Sequence, residues 1–198
     1  MNKARVGCVL MASGYGKRFG GNKLLECVDG VPMVVRAMRA MPEGLFAART
    51  LVTVYPQVAE LAAREGFAPV ANPDTQDDPA VTIRLGLAAM PDGLDGCLFS
   101  VCDQPWLTAQ SVARLVDAFR REGGPVVLGF AGRRGNPVVF PKSLFPFLAA
   151  LKPFETGRDA LNASGVSVRL VQADSACELF DVDRREDLRH GLDRDGCV

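Results

Sequence analysis

The sequence has 198 residues, 48% of them hydrophobic and 23% charged, which predicts a substantial buried core in one domain spanning residues 1–198. Lys plus Arg and Asp plus Glu balance at 23 each, so the net charge favours neither nucleic acid nor an anionic membrane as a partner. No stretch reaches the ~18 apolar residues of a membrane span, and six cysteines without a CxxC pair indicate free thiols in a reducing cytoplasm.

Strand-like and helix-like runs alternate along the chain. Continuously apolar, β-branched runs predict strands at 6–11, 50–55, 67–70, 97–101, 125–130, 137–140 and 166–172. Helical periodicity predicts helices at 32–41, 58–65, 81–90, 109–122 and 184–192, with two shorter helical pieces before the last strand. Pro32 is expected at a first helical position and Thr108 as an N-cap.

This alternation indicates a doubly wound α/β fold, with a mainly parallel sheet and helices on both faces. The stretch FAGRRGNPVVF predicts a hairpin with a four-residue turn at 132–135, and hence one antiparallel strand. A strand order beginning 3-2-1-4 would place the loops after the first and fourth strands at one crevice. In such sheets ligands bind at that crevice.

The loop after the first strand is rich in glycine and cations, MASGYGKRFGGNKLL at residues 11–25. Its glycine spacing is one residue too long for a dinucleotide fingerprint, and Asn22-Lys23-Leu24 does not complete a P-loop. Glycines still let the backbone turn with positive φ and bring N–H groups near an anion, while Arg18 and Lys23 supply positive charge. We therefore expect phosphate binding here, with a simple turn as the alternative.

The loop after the fourth strand carries an acid, in the stretch Cys102-Asp103-Gln104-Pro105-Trp106. If the strand order is as expected, Asp103 faces the cations of the first loop. The alternative is that Asp103 only starts a turn or caps the next helix.

Four ordered motifs resemble those of the MobA-like nucleotidyltransferases. ASGYGKRFGGNKLL resembles the family loop AAGxSxRxGxxKxLL, VCDQP resembles GDQP, RRGNPVVF resembles a GHPVLF-type hairpin, and LFDVDRREDL resembles DIDTPEDL. The likeness covers essentially the whole chain and looks closest to the branch that includes molybdenum cofactor cytidylyltransferases. It implies a Rossmann-like nucleotide-diphospho-sugar transferase fold, and transfer of a nucleoside monophosphate from a nucleoside triphosphate to a phosphorylated acceptor.

The resemblance also implies site residues. The nucleotide would meet Ala12, Ser13, Gly14, Gly16 and Thr82, its phosphates would meet Arg18 and Lys23, Mg²⁺ would be held by Asp103 and Asp183, and Asn136 would lie in the acceptor half. Guanylyl-transferring relatives typically carry Arg where this chain has Gly14, which favours CTP. Molybdopterin is the implied acceptor, a molybdenum hydroxylase is the implied recipient, and the protein itself is expected in the cytoplasm.

Two segments depart from the family pattern. DPAVTIRLGL, from Asp78, stands where relatives often have GMSSSLRAGL, and FETGRD, from Phe154, stands where they often have GDKGAR. Two alternatives therefore stay open. One is a transferase for another phosphorylated acceptor, such as a sugar phosphate. The other is a non-catalytic accessory protein that binds a nucleotide or cofactor.

Overall fold

The computed structural model describes residues 3–16 and 19–189. Within these ranges the strands are β1 Val6–Ala12, β2 Cys27–Val28, β3 Val31–Pro32, β4 Ala48–Thr53, β5 Ala68–Ala71, β6 Gly96–Val101, β7 Val126–Phe130, β8 Arg133–Pro141 and β9 Arg169–Gln172. The α-helices are α1 Met33–Arg39, α2 Pro56–Arg64, α3 Pro79–Ala88, α4 Ala109–Glu122, α5 Phe145–Ala149 and α6 Gly157–Ser164. Short 3₁₀ turns lie at Lys23–Leu25, Glu43–Leu45, Lys142–Leu144, Ala176–Leu179 and Arg185–Arg189. No helix in the described ranges is long and apolar enough to cross a membrane.

The main sheet has seven strands in the order β5-β4-β1-β6-β8-β7-β9. Strand β8 pairs antiparallel with both β6 and β7, and the other pairs in this sheet are parallel. The predicted order 3-2-1-4 is confirmed by β5-β4-β1-β6, and the predicted single antiparallel strand is β8. Strands β2 and β3 form a separate two-stranded ribbon.

Both faces of the sheet are covered, because successive residues of a strand point to opposite faces. On β1, Leu10 packs in the core cluster that includes residues of α1, α2 and α4, whereas Val9 packs with residues of α3, α5 and α6. The predicted doubly wound α/β fold is confirmed. Its consequence for function is that the carboxyl ends of β1 and β6 are neighbours.

Helix boundaries follow local capping chemistry. The predicted helix at 109–122 is confirmed as α4, with the Thr108 hydroxyl accepting a bond from the Ser111 N–H at 3.2 Å. Helix α1 begins one residue later than predicted, at Met33, because Pro32 is the last residue of β3 and stands at the N-cap.

Three expectations are corrected. The hairpin turn has two residues rather than four, because Ala131 and Gly132 both adopt positive φ (47° and 81°) and strand pairing resumes at Arg133. The predicted last helix is a 3₁₀ turn, Arg185–Arg189, as far as the structure describes it. Cys177 is disulfide-bonded, so the free-thiol prediction is wrong for that residue; sequence spacing does not exclude pairing between distant cysteines. Among the described residues, Cys8, Cys27, Cys97 and Cys102 are free.

Candidate nucleotide-binding site

A pocket of ≈ 170 Å³ lies where β1 and β6 end. Strand β1 pairs with β4 on one side and with β6 on the other. The connections that follow these strands therefore run in opposite directions and leave a crevice between them. Six of the residues predicted from the sequence line it: Ala12, Ser13, Gly14, Lys23, Thr82 and Asp103. The fold thus joins the two loops that the sequence singled out.

The start of the glycine loop is anchored to β4 and the residues just after it. The Ser13 hydroxyl donates to a β4 carbonyl at 3.2 Å, and the Thr53 hydroxyl donates to the Ala12 carbonyl at 2.8 Å. The Tyr55 hydroxyl donates to the Gly14 carbonyl at 3.1 Å. These bonds fix the backbone that forms the floor of the pocket.

Gly16 and Gly14 of this loop differ in whether the backbone conformation requires a glycine. Gly16 has φ +58°, its carbonyl accepts from the N–H groups of Phe19 (2.9 Å) and Gly20 (3.1 Å), and a Cβ added there would lie 2.2 Å from the Gly21 oxygen. The loop conformation itself therefore requires glycine at Gly16. At Gly14 an added Cβ would meet nothing within 4 Å, so the space beside it is open.

Lys23 connects the two loops to a third segment of the chain. Its Nζ lies 2.8 Å from Asp103 Oδ2, 3.0 Å from Asp183 Oδ1 and 2.8 Å from the Val182 carbonyl oxygen. These three acceptors match the three N–H bonds of an ammonium group. Burial alone would lower the pKa of Lys23, but the charges and hydrogen bonds of Asp103 and Asp183 together raise it. Lys23 is therefore a permanent cation between two carboxylates.

The opposite wall of the pocket is formed by the entry to α3. The Asn72 amide donates to the Thr82 hydroxyl at 3.1 Å, and Asp78 caps the helix by accepting from Ala80 N at 2.8 Å. Sequence reasoning did not identify Asn72 or Asp78 as pocket-lining residues. An Asp-Pro pair ahead of a helical run is an N-cap signal and could have located Asp78; nothing comparable marks Asn72.

The comparison with known families agrees with this geometry. A model of the MobA-like NTP transferase domain matches residues 8–169, a span that includes the glycine loop and Asp103. The chain belongs to the MobA-like NTP transferase family.

Relatives of this MobA-like protein include enzymes with different nucleotide donors. It is 30% identical to a molybdenum cofactor guanylyltransferase from Cupriavidus necator, over 91% of this chain and 93% of that protein. It is 28% identical to a 2-C-methyl-D-erythritol 4-phosphate cytidylyltransferase from Streptomyces avermitilis, over 63% of this chain but about half (53%) of that protein. Among solved structures, Rv0371c from Mycobacterium tuberculosis H37Rv superposes with a TM-score of 0.79 at 24% identity, covering 96% of this chain and 98% of that one. This last likeness shows the fold.

The remaining predicted site residues of this MobA-like protein lie outside the pocket lining or outside the described ranges. Arg18 falls between the described ranges. Gly16 accepts hydrogen bonds within the glycine loop but does not line the pocket. Asp183 contacts Lys23 without lining the pocket. Asn136 is half-buried on β8, two residues beyond the last β6 pairing at Val138, so it lies towards the same sheet edge. Its acceptor role stays a prediction.

The acids of the site can be tested for fit to Mg²⁺. In residues 3–16 and 19–189, no group of three or more His, Cys, Asp or Glu side chains is placed to hold a metal ion. Mg²⁺ needs fewer, because it keeps several waters and binds through one or two carboxylates plus substrate phosphates. Asp103 Oδ1 is buried without a hydrogen-bond partner among the described residues, and its other oxygen shares the Lys23 ammonium with Asp183. The donor set fits Mg²⁺.

Proposed function

We propose that this protein is a Mg²⁺-dependent nucleotidyltransferase. It would transfer CMP from CTP to a phosphorylated acceptor, with molybdopterin as the first candidate, and release pyrophosphate. A molybdenum hydroxylase would be the recipient of the product. Family membership supports nucleotidyl transfer, while the donor, the acceptor and the metal are the proposed part.

The observation that carries the proposal is the Lys23 ammonium bound between Asp103 and Asp183 at the end of the pocket. A cation beside two acids suits a reaction in which phosphate groups and a metal enter together. Phosphate oxygens can take over the N–H groups of Lys23 while the released carboxylates become metal ligands. The glycine loop adds a backbone fixed on one wall of the same pocket.

The chemistry requires little from the side chains beyond alignment and charge. An acceptor phosphate carries about −1.5 to −2 charges at neutral pH, so it needs no general base. Its oxygen attacks the α-phosphorus in line, a new P–O bond forms, the bond between Pα and the bridging oxygen breaks, and pyrophosphate leaves with the electron pair. Lys23, assisted by Arg18, would stabilise the charge on the departing pyrophosphate. Mg²⁺ held by Asp103 and Asp183 would supply neutralisation of the phosphate charge.

CTP is proposed as donor because Gly14 stands where guanylyl-transferring relatives carry Arg, and its surroundings are open. Guanylyl transfer is the second candidate. It is favoured by molybdenum cofactor guanylyltransferases from two Cupriavidus species, each 30% identical over 91% of this chain. The cytidylyltransferase relatives support CTP, and an alcohol phosphate as another possible acceptor class, over a shorter part of the chain.

The test is pyrophosphate release with each of CTP, GTP, ATP and UTP. Each nucleotide is paired with molybdopterin, with 2-C-methyl-D-erythritol 4-phosphate or with a sugar 1-phosphate, with and without Mg²⁺. We expect Mg²⁺-dependent release for CTP with molybdopterin only. Release with GTP would show that GTP rather than CTP is the donor. Release with another acceptor would show that molybdopterin is not the substrate. Nucleotide binding without release for any pair would contradict catalysis and favour an accessory protein.

A further inference from the structure

The two carboxylates that contact Lys23 come from distant parts of the chain, so their relative position must be held by other contacts. Asp103 follows β6, and Asp183 follows the 3₁₀ turn Ala176–Leu179 near the end of the described residues. Backbone contact is one link, because Val182 N donates to the Asp103 carbonyl at 2.9 Å. The side chain of Gln104 is another.

Gln104 forms hydrogen bonds to the segment that carries Asp183. Its Nε2 donates to Asp181 Oδ1 at 2.8 Å and to the Leu179 carbonyl at 3.3 Å. The residue is 2% exposed, although Asp181 is exposed to solvent. One buried amide therefore holds both a backbone and a side-chain oxygen of the segment 179–183.

The same side chain carries an energetic cost. Gln104 Oε1 is buried and has no hydrogen-bond partner among the described residues. A buried, unpartnered polar atom destabilises the folded state, and an apolar side chain of similar shape would avoid that cost. The two N–H bonds to segment 179–183 offset this cost and account for a glutamine at this position.

The Lys23 contacts cannot provide lasting support in the proposed reaction. When Lys23 binds phosphate it gives up Asp103 and Asp183, and the two acids are left to repel each other. The bonds from Gln104 do not involve Lys23 and would persist. Together with Asp187 Oδ2, which accepts from the Asp183 N–H at 2.8 Å, they can keep the acids in place as the cation leaves.

We propose that Gln104 is a positioning residue, which fixes segment 179–183 so that Asp103 and Asp183 bind one divalent cation. This inference rests on the proposed metal-dependent function. Supporting groups of this kind typically change metal affinity by about 10- to 100-fold. Asp181 acts in the same unit as the acceptor for Gln104, not as a metal ligand.

The test uses Gln104→Met, which keeps the length of the side chain and removes both the amide donors and the unpartnered oxygen. Mn²⁺ serves as a paramagnetic probe with oxygen-ligand preferences like those of Mg²⁺. Its binding is measured by electron paramagnetic resonance on the full chain, and thermal unfolding is measured in parallel. We expect Mn²⁺ affinity to fall about tenfold, while the unfolding midpoint stays unchanged or rises. A purely structural role would lower the midpoint together with the affinity.

Matched variants keep the result interpretable. Asp181→Ala should reproduce the loss of affinity, whereas Asp181→Asn, which retains an acceptor oxygen, should lose much less. The double variant of Gln104→Met with Asp181→Ala should lose no more affinity than Gln104→Met alone, because Asp181 acts through its bond to Gln104. Glu178→Ala breaks an anchor of the residue just before this segment, the 2.8 Å bond from the Thr108 hydroxyl. This variant should lower the unfolding midpoint without weakening the binding of Mn²⁺.

Each contrary result has a distinct meaning. Gln104→Met or Asp181→Ala binding Mn²⁺ like the wild type overturns the positioning role alone. An equal loss of affinity in Glu178→Ala also overturns it, since the effect would then be general loosening. If the wild type binds no Mn²⁺, with or without nucleotide, the metal-dependent function and this inference both fail. Asp181→Ala carries the test if Gln104→Met does not fold.

Discussion

The pocket is built differently on its two sides. On the charged side, defined here as Lys23, Asp103 and Asp183, groups from three parts of the chain meet within 3.0 Å. The other side carries Asp78, which lines the pocket and accepts a 2.8 Å bond from the N–H of Phe154, a residue outside the lining; Asp78 and Phe154 are here called the rim. The charged side keeps the residues of the family motifs, whereas each rim residue begins a segment that departs from them. Under the proposed function, phosphate chemistry would set the charge placement, and the rim would be free to vary with the acceptor.

The rim departures have a common structural role. The Asp78 carboxylate caps α3 and also binds Phe154 N, so the two altered segments form one unit. Downstream, Thr156 and Asp159 form a capping box at the start of α6, with the Thr156 N–H 2.7 Å from Asp159 Oδ2. Hydrogen bonds from Thr156 lower the pKa of Asp159, as expected for such a cap. The altered residues thus stabilise helix starts next to a retained charged side.

The largest effect is expected from Asp103→Asn on the charged side. It removes one of the two charges that balance Lys23 and leaves the shape unchanged. Loss of a group that stabilises transition-state charge typically costs about 10²–10³ in rate. We expect a fall of this size in pyrophosphate release with an unchanged circular dichroism spectrum.

The matched control for this change is Asp117→Asn on the exposed side of α4, where the carboxylate lies 3.6 Å from Arg120 Nη1 on the next turn of the same helix. Arg120 is largely buried, so this change can lower stability, but α4 runs back from the loop after β6 and its second half lies away from the site, so activity should not change. Full activity of Asp103→Asn would mean that the charged side is merely structural, and the contrast between the two sides would disappear.

Asp78→Ala addresses the rim and should mainly change stability. The substitution removes a helix cap worth about 0.5–2 kcal/mol and also removes the acceptor of the part-buried Phe154 N–H. We expect the free energy of unfolding to fall by about 2–3 kcal/mol in urea denaturation. Thr156→Ala, which breaks only the α6 cap, should cost about 1 kcal/mol. Equal losses for the two variants would show that Asp78 does not join the segments.

Features that depend on neighbouring residues were predicted from the sequence, whereas contacts between residues distant in the sequence were not. The alternation of strands and helices and α4 followed from hydrophobic pattern and the Thr108 cap, both local signals, whereas the sheet order followed from the order common in doubly wound sheets. Asp103 and Lys23 were identified because strand ends at a reversal of strand order bring their loops together. The contact of Lys23 with Asp183 was not predicted, since no spacing rule relates residues so far apart. Asn72 was missed because an amide in a polar loop has no signature until the fold places it against Thr82.

Gly16→Ala returns to the charged side and tests the loop that leads to Lys23. The added Cβ would lie 2.2 Å from a backbone oxygen at φ +58°, so the loop must shift. A left-handed non-glycine residue costs about 1–2 kcal/mol, and we expect the nucleotide Kd to rise about tenfold in isothermal titration. The control Gly14→Ala should leave the unfolding midpoint unchanged, because its Cβ enters open space. An unchanged Kd in Gly16→Ala would separate the loop conformation from nucleotide binding.

The smallest effect is expected at Phe154 on the rim, where the substitution should raise rather than lower the free energy of unfolding. Phe154 has φ +65° and is 59% exposed, so it carries backbone strain with little compensating burial. Phe154→Gly should stabilise the protein by about 0.5–1 kcal/mol in urea denaturation, since relief of about 1–2 kcal/mol of strain exceeds the entropy that glycine adds to the unfolded state. Phe154→Ala keeps the strain and should show no such gain; a gain in alanine but not glycine would contradict this explanation. If Phe154→Gly also leaves the nucleotide Kd unchanged but raises the acceptor KM, the rim belongs to the acceptor. The strained ring would then be retained for a ligand rather than for the fold.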